Sequence, residues 1–462
     1  MNKSLTKYFI AIGILCLLIW LTFFPARFNI LNPRLGKPLI LQAGDTFKVK
    51  IQTSIPYWPH HWQASIQSAT DTIKLNISNS QTEFSLQTIS LQLPENIKDN
   101  KYSLLISDEH KQLSRQGAIH IINKPKDSIT IIQMADLPTL SASGKKQGDL
   151  QLKKIIQETN LINPDLVLFT GDLAYQGSWA QYYQLLDAMS SVNAPLIAAP
   201  GNHEYQGWSA FLTLLGKPYH TTEYGNYFIV SLNSGHSRDQ LTYSQLKWLK
   251  KELDAHKNKT IIVQLHHSIQ HRKGDRGYLK NNIKPLLSLF KQYNVSIVLS
   301  GHWHGDSLFD INGQLRNDDW KFAGTPFVVT TAAGAKLRKE YSQSPLHHGY
   351  RLIRFKNRIL DNFTYDYDGD NKRDASSSIP YNKISVTHPD SYTAIVSNKL
   401  NESFENILLE FHLPPNNNKI LDIKNGRFYK DIHQKKQRII QVNSQLKANS
   451  KIKVELQMEN IK

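Results

Sequence analysis

Leu166-Val167-Leu168-Phe169-Thr170-Gly171-Asp172 opens as an unbroken apolar run and halts on a glycine followed by a carboxylate. A run this short, bounded by glycine, reads as a strand buried on both faces. The pattern recurs: strand-like stretches at 129–134, 196–199, 227–232, 261–265, 297–299 and 327–331 alternate with helical segments at 150–159, 179–189 and 244–255. In the last helix Leu246, Leu249 and Leu253 share one face. Strands alternating with helices predict an α/β sandwich.

Where those strands stop, residues with ligand chemistry begin. Asp136, Asp172, Asn202 with His203, His266 with His267, and His302 with His304 each follow one. In open α/β sheets the carboxyl ends of strands face a common crevice, so side chains far apart in sequence converge there. Carboxylate, amide oxygen and imidazole together suit ions such as Fe, Mn and Zn. Gly171, Gly201 and Gly301 stand directly before Asp172, Asn202 and His302, where a tight turn or unusual backbone angle presents the next side chain. The one cysteine, Cys16, lies in an N-terminal apolar run, which leaves only N and O ligands for a metal in the folded part.

Gly171-Asp172, Gly201-Asn202-His203-Glu204, Val263-Gln264-Leu265-His266 and Gly301-His302-Trp303-His304 resemble the motifs of calcineurin-like metallophosphoesterases, over about residues 128–367. The opening differs, because most of that superfamily carries D-x-H where this chain has Asp136-Leu137-Pro138. Purple acid phosphatases also lack that histidine and use a tyrosine in G-D-x-x-Y, matched here by Gly171-Asp172-Leu173-Ala174-Tyr175. The resemblance is therefore to a purple-acid-phosphatase-like branch. It implies a four-layer αββα sandwich and two metal ions, Fe with Zn, Mn or Fe. One ion would be held by Asp136, Asp172, Tyr175 and His304, the other by Asp172, Asn202, His266 and His302, with Asp172 as the bridge. Packing beside the site is the alternative for Tyr175. The resemblance also implies that His203 is catalytic, meeting the phosphate or the leaving oxygen. His267 and His271 are candidate substrate contacts, a plain surface loop being the alternative. The expected reaction is hydrolysis of phosphate esters, of the acid-phosphatase phosphomonoesterase kind, by a metal-held hydroxide. Alternatives are a phosphodiesterase or pyrophosphohydrolase on nucleotides or lipids and, in another class, a catalytically weak surface binding or scaffold protein.

Around this unit, residues 36–125 hold alternating stretches at 47–51, 72–77, 89–93, 102–106 and 118–122, which read as an Ig- or fibronectin-like β-sandwich. Asn123-Lys124-Pro125-Lys126-Asp127 reads as a linker, the catalytic unit as 127–376, and 377–462 as a small C-terminal β domain. Asp366-Tyr367-Asp368-Gly369-Asp370 alternates carboxylates, but Ser377 stands where a calcium loop wants an acid, so a solvated turn is expected.

Residues 8–24 are apolar, follow Lys3 and Lys7, and end at Pro25. That layout predicts a signal anchor or transmembrane segment within residues 1–30, uncleaved because no A-x-A-like site follows. It would tie the chain to a membrane with the catalytic unit outside the cytoplasm; secretion is the alternative. The net charge of +17 suits phosphorylated substrates, anionic membranes and nucleic acid alike. Lys and Arg are scattered and no nucleic-acid motif accompanies them, so a solvated basic surface is expected and no nucleic-acid partner.

Overall fold

The computed structural model describes residues 29–53, 61–109, 111–137, 147–239, 241–316, 322–366, 377–415 and 418–459. The apolar run at 8–24 and the acidic turn after Asp366 lie outside the described residues. Among those described, no helix is long and apolar enough to cross a membrane.

The middle of the chain contributes strands β1 (Ile129–Met134), β2 (Leu166–Thr170), β3 (Leu196–Ala199), β4 (His220–Tyr224), β5 (Tyr227–Ser231), β6 (Thr260–Gln264), β7 (Ile297–Ser300), β8 (Ser307–Phe309), β9 (Phe327–Val329), β10 (Gly349–Lys356) and β11 (Ile359–Asn362). Its helices are α1 (Gln147–Ile162), α2 (Trp179–Ser190), α3 (Trp208–Leu214), α4 (Tyr243–Ala255) and α5 (Ile283–Gln292). The strands form two mixed sheets, ordered β3-β2-β1-β10-β11 and β4-β5-β6-β7-β9-β8. Within them β1, β2 and β3 run parallel, as do β5, β6, β7 and β9.

Alternation along each strand dictates the layering. Ile129, Ile131, Leu166, Leu168 and Ile197 of the first sheet pack with Ile229, Ile262, Ile297, Leu299 and Val328 of the second, so the sheets lie face to face. The opposite face of the first sheet, with Ile132, Met134, Val167 and Phe169, meets Leu152 and Ile155 of α1 and Tyr182 and Leu185 of α2. Phe228, Val230, Val263 and Val298 on the far face of the second sheet meet Leu246, Leu249 and Leu253 of α4 and Phe290 of α5. The result is the αββα sandwich that the motifs imply. Because both faces of every central strand are covered, the strands are buried throughout and show no exposed phase.

β-sheets flank this sandwich on both sides in sequence. Eight strands between Asn29 and Ile121 form one sheet whose long strand Thr72–Glu83 pairs with Gln63–Gln67 at one end and Leu86–Gln92 at the other. Its two arms enclose a common core of Val49, Ile51, Ile66, Ile89, Leu104 and Ile106. After Ile379–Pro380, a four-stranded and a three-stranded antiparallel sheet follow. Leu409 and Phe411 from the latter share a core with Ile155 of α1, so the last sheets cap the helical layer of the first catalytic sheet.

Candidate metal centre

The loops that leave β1, β2, β3, β6 and β7 bring Asp136, Asp172, Asn202, His266, His302 and His304 to one place. Two groups capable of holding an ion emerge: Asp136, Asp172 and His304, and His266, His267 and His302, with the donor atoms of each group within 4.8 Å of one another. The groups adjoin. His266 Nε2 is 3.2 Å from Asp172 Oδ2, 3.1 Å from Asn202 Oδ1 and 3.2 Å from His302 Nδ1. His304 Nε2 is 3.3 Å from Asp136 Oδ1.

Local backbone geometry explains how loops from different strands come so close. Gly171 has φ +91°, and a Cβ there would meet His266 Nδ1 at 2.6 Å. A Cβ on Gly201 would lie 2.2 Å from Asp172 Oδ1, and one on Gly301 would lie 2.8 Å from Asp136 Oδ2. Gly201 and Gly301 thus serve close approach, and the left-handed angles fall on the donor residues themselves: Asp136 (φ 53°), Asp172 (φ 53°), His302 (φ 70°) and His304 (φ 54°). Non-glycine residues enter that region at a cost, and such outliers cluster at functional sites.

The hydrogen bonds suit a metal. His266 Nδ1–H donates to Thr170 O at 2.8 Å and His304 Nδ1–H donates to Lys336 O at 2.7 Å, which leaves each Nε2 lone pair aimed into the centre. Asp136 Oδ1 is buried and, apart from His304 Nε2 at 3.3 Å, meets no donor, an anionic oxygen that a cation would satisfy. Carboxylates, imidazoles and an amide oxygen are the donor set expected for Fe, Mn or Zn. The residues therefore fit a pair of ions.

Proton affinities around the centre point the same way. Burial disfavours the imidazolium of His266, yet the Asp172 carboxylate outweighs it and lifts the pKa to about 9. Burial opposes ionisation of Asp172, but His266 and then His203 hold its carboxyl far below the usual range. His304 is likewise raised, with burial opposing and Asp136 prevailing, while burial and then His266 push His302 down to about 3. Asp172 stays ionised, and the positive charge drawn onto His266 and His304 is the charge that cations would supply.

His203 stands beside the bridge position. Its Nδ1–H donates to Tyr175 O at 2.6 Å and its Nε2 is 3.8 Å from Asp172 Oδ2, with the side chain partly open to solvent. Tyr175 is 49% exposed, and its ring stacks on His203 with centroids 5.5 Å apart. His267 is buried, its Nδ1 bonded to Ser234 Oγ at 2.8 Å, and it belongs to the second group instead of to an open loop. His271 stacks on Tyr278 with centroids 3.6 Å apart and lies in neither group.

Two contributors were not singled out from sequence. Glu204, the last residue of Gly201-Asn202-His203-Glu204, is fully buried and accepts four backbone N–H groups, from Asp172 (2.9 Å), Leu173 (2.8 Å), Ala174 (3.2 Å) and Gly201 (2.6 Å). It fastens the loop after β2 to the loop after β3, and burial followed by Asp172 pushes its pKa up to about 7. His236 donates from Nδ1 to Asn202 O at 3.1 Å. The signal for it was available, since Asn233-Ser234-Gly235-His236 also follows an apolar strand.

A family model described as calcineurin-like phosphoesterase matches residues 104–306. The 3',5'-cyclic adenosine monophosphate phosphodiesterase CpdA of Haemophilus influenzae is 30% identical over 219 residues, covering 44% of this chain and 73% of that protein. CpdA of Escherichia coli is 31% identical over 159 residues, 32% of this chain and 58% of the relative. A probable cyclic nucleotide phosphodiesterase of Synechococcus is 33% identical over 155 residues, 31% of this chain and 58% of the relative. This chain thus spans little more than half the length of those last two. Among solved structures, a purple acid phosphatase from yellow lupin seeds aligns with 76% of this chain and 70% of its own at 14% identity and a TM-score of 0.45.

Proposed function

The chain belongs to the calcineurin-like phosphoesterase family, and we propose that its metal centre hydrolyses phosphate esters. The observation that carries this reading is the pair of adjoining acid and imidazole groups, each within 4.8 Å, at the carboxyl ends of parallel strands. Asp136, Asp172 and His304 would hold one ion, and Asp172, Asn202, His266 and His302 the other, with His267 at hand beside the second. Two cations there supply Lewis acidity, which acidifies water and neutralises phosphoryl oxygens.

The chain's own side chains do the rest. Asp172 lies between the groups, where one carboxylate can serve both. His203, held at Nδ1 by Tyr175 O, presents Nε2 beside Asp172 and can donate a proton to the departing alkoxide. Glu204 keeps the two loops in register. Phosphodiester hydrolysis is favoured over the phosphomonoesterase expectation because the relatives found by sequence are named as cyclic nucleotide phosphodiesterases. Membrane attachment through residues 1–30, with the catalytic unit outside the cytoplasm, is part of the same proposal.

Purified protein supplied with Mn, or with Fe and Zn, should hydrolyse bis-p-nitrophenyl phosphate and, more slowly, p-nitrophenyl phosphate. Asn202→Ala should reduce both to background. Equal inactivity of wild type and variant with metals bound, across both esters, would shift the reading to a binding scaffold.

A further inference from the structure

Three loops that frame the centre carry cations with no anionic partner among the described residues. Arg238 follows β5, Arg276 follows β6, and Lys336 and Arg338 follow β9. Arg276, Lys336 and Arg338 are fixed beside the histidine loop after β7 through the backbone. Arg338 N–H donates to His304 O at 3.1 Å, Lys336 O accepts from His304 Nδ1 at 2.7 Å, and Arg276 O accepts from Trp303 Nε1 at 2.8 Å. Gly277, next after Arg276, comes so close that a Cβ there would lie 2.6 Å from His302 Nε2. Arg238 O accepts from Lys280 N at 2.8 Å, which joins its loop to the one bearing Arg276.

Acids in these loops do not neutralise the set. Asp275 is taken by the backbone and side chain of Arg272, and Asp239 and Glu340 pair with none of the four. The loop that bears Arg238 is itself pinned to the centre, where Ser234 Oγ meets His267 Nδ1 at 2.8 Å and His236 Nδ1 meets Asn202 O at 3.1 Å. Unpaired cations beside a site that would itself hold two metal ions raise its positive potential further, which favours an anion that carries more charge than one ester phosphate.

We infer that Arg238, Arg276, Lys336 and Arg338 form a cationic collar that holds a second phosphate of the substrate while the metal centre takes the ester to be cleaved. The substrate class is a phosphate ester with a further phosphate on the same small molecule. Guanidinium suits the task, because its planar fork grips phosphate oxygens in pairs. This inference rests on the phosphoester reading above, and it adds the group that sets substrate choice.

Metal-loaded full-length protein is titrated calorimetrically with thymidine 5'-monophosphate and thymidine 3',5'-bisphosphate, ligands that differ by one phosphate. The bisphosphate should bind roughly tenfold tighter or more at low salt, with the advantage shrinking as salt rises. Arg238→Ala with Arg338→Ala should bring the ratio of the two affinities close to one; Arg238→Gln with Arg338→Gln, which keeps side-chain bulk, should do the same. Lys435→Ala with Lys436→Ala, in the turn between the strands Arg427–His433 and Arg438–Leu446, should leave the ratio intact. A ratio near one in wild type, or one that survives both arginine pairs, overturns the collar. Turnover of bis-p-nitrophenyl phosphate by the same wild-type sample reads the parent assignment separately: its absence removes the hydrolase and leaves the affinity ratio to decide the collar.

Discussion

Glu204→Gln keeps the shape of a buried side chain and removes half of what it can accept. In the folded protein Oε2 takes the N–H groups of Asp172 and Gly201, and Oε1 takes those of Leu173 and Ala174. A glutamine offers one oxygen, so two of those donors lose their acceptor and face an NH₂ group. A buried donor left unmet costs about 1–3 kcal/mol, which puts the loss at roughly 2–6 kcal/mol. For a unit the size of the central sandwich, each kcal/mol moves the midpoint by about 2–4 °C, so the transition should fall by about 10 °C. The same two loops carry Asp172 and Asn202, and partners that orient ligands typically matter about 10–100-fold in metal affinity. Thermal unfolding in chelator, followed by Mn titration, measures both quantities. A variant that melts within about 2 °C of wild type and binds Mn equally well would refute the role assigned to Glu204.

Glu158 offers a pH test away from the centre. Burial, only partly offset by Tyr350 and Asn382, raises its pKa from 4.5 to about 8. The folded state thus binds this proton more tightly than the unfolded chain: the contribution is complete below about pH 4.5 and is lost as pH climbs towards 8, a change of a few kcal/mol. Stability measured by urea unfolding from pH 5 to 8 should fall in wild type and stay flatter in Glu158→Gln; parallel curves would contradict this. Tyr175→Phe should retain turnover within about threefold, because the half-exposed ring meets His203 by stacking. If an iron-loaded wild type shows a visible tyrosinate band that the variant lacks, Tyr175 is a ligand after all.

Much of the sandwich was legible because its central strands are buried on both faces. The runs at 129–134, 166–170 and 196–199 coincide with β1, β2 and β3, where composition and turn signals agree. What escaped were elements whose sequence speaks weakly. β4, His220-Thr221-Thr222-Glu223-Tyr224, is an edge strand with polar residues and pairs only with β5. α5 starts after Asn282 at φ 54° with no side-chain cap, so no start signal precedes it. In the site, residues with ligand chemistry at strand ends could be read directly, since position and chemistry coincide. Glu204 could not, because its task is to accept main-chain donors from a loop some thirty residues earlier, contacts invisible without the fold. The unpaired state of Arg238 and Arg338 is likewise a property of three dimensions.

Left-handed backbone at Asp136, Asp172, His302 and His304 has an evolutionary and practical corollary. Each such residue stores on the order of 1–2 kcal/mol, and glycine at any of the four would release that strain while deleting a donor. Loss of activity in a lineage can therefore run thermodynamically downhill, and a library of variants sorted by heat resistance alone should enrich for inert proteins mutated at these positions.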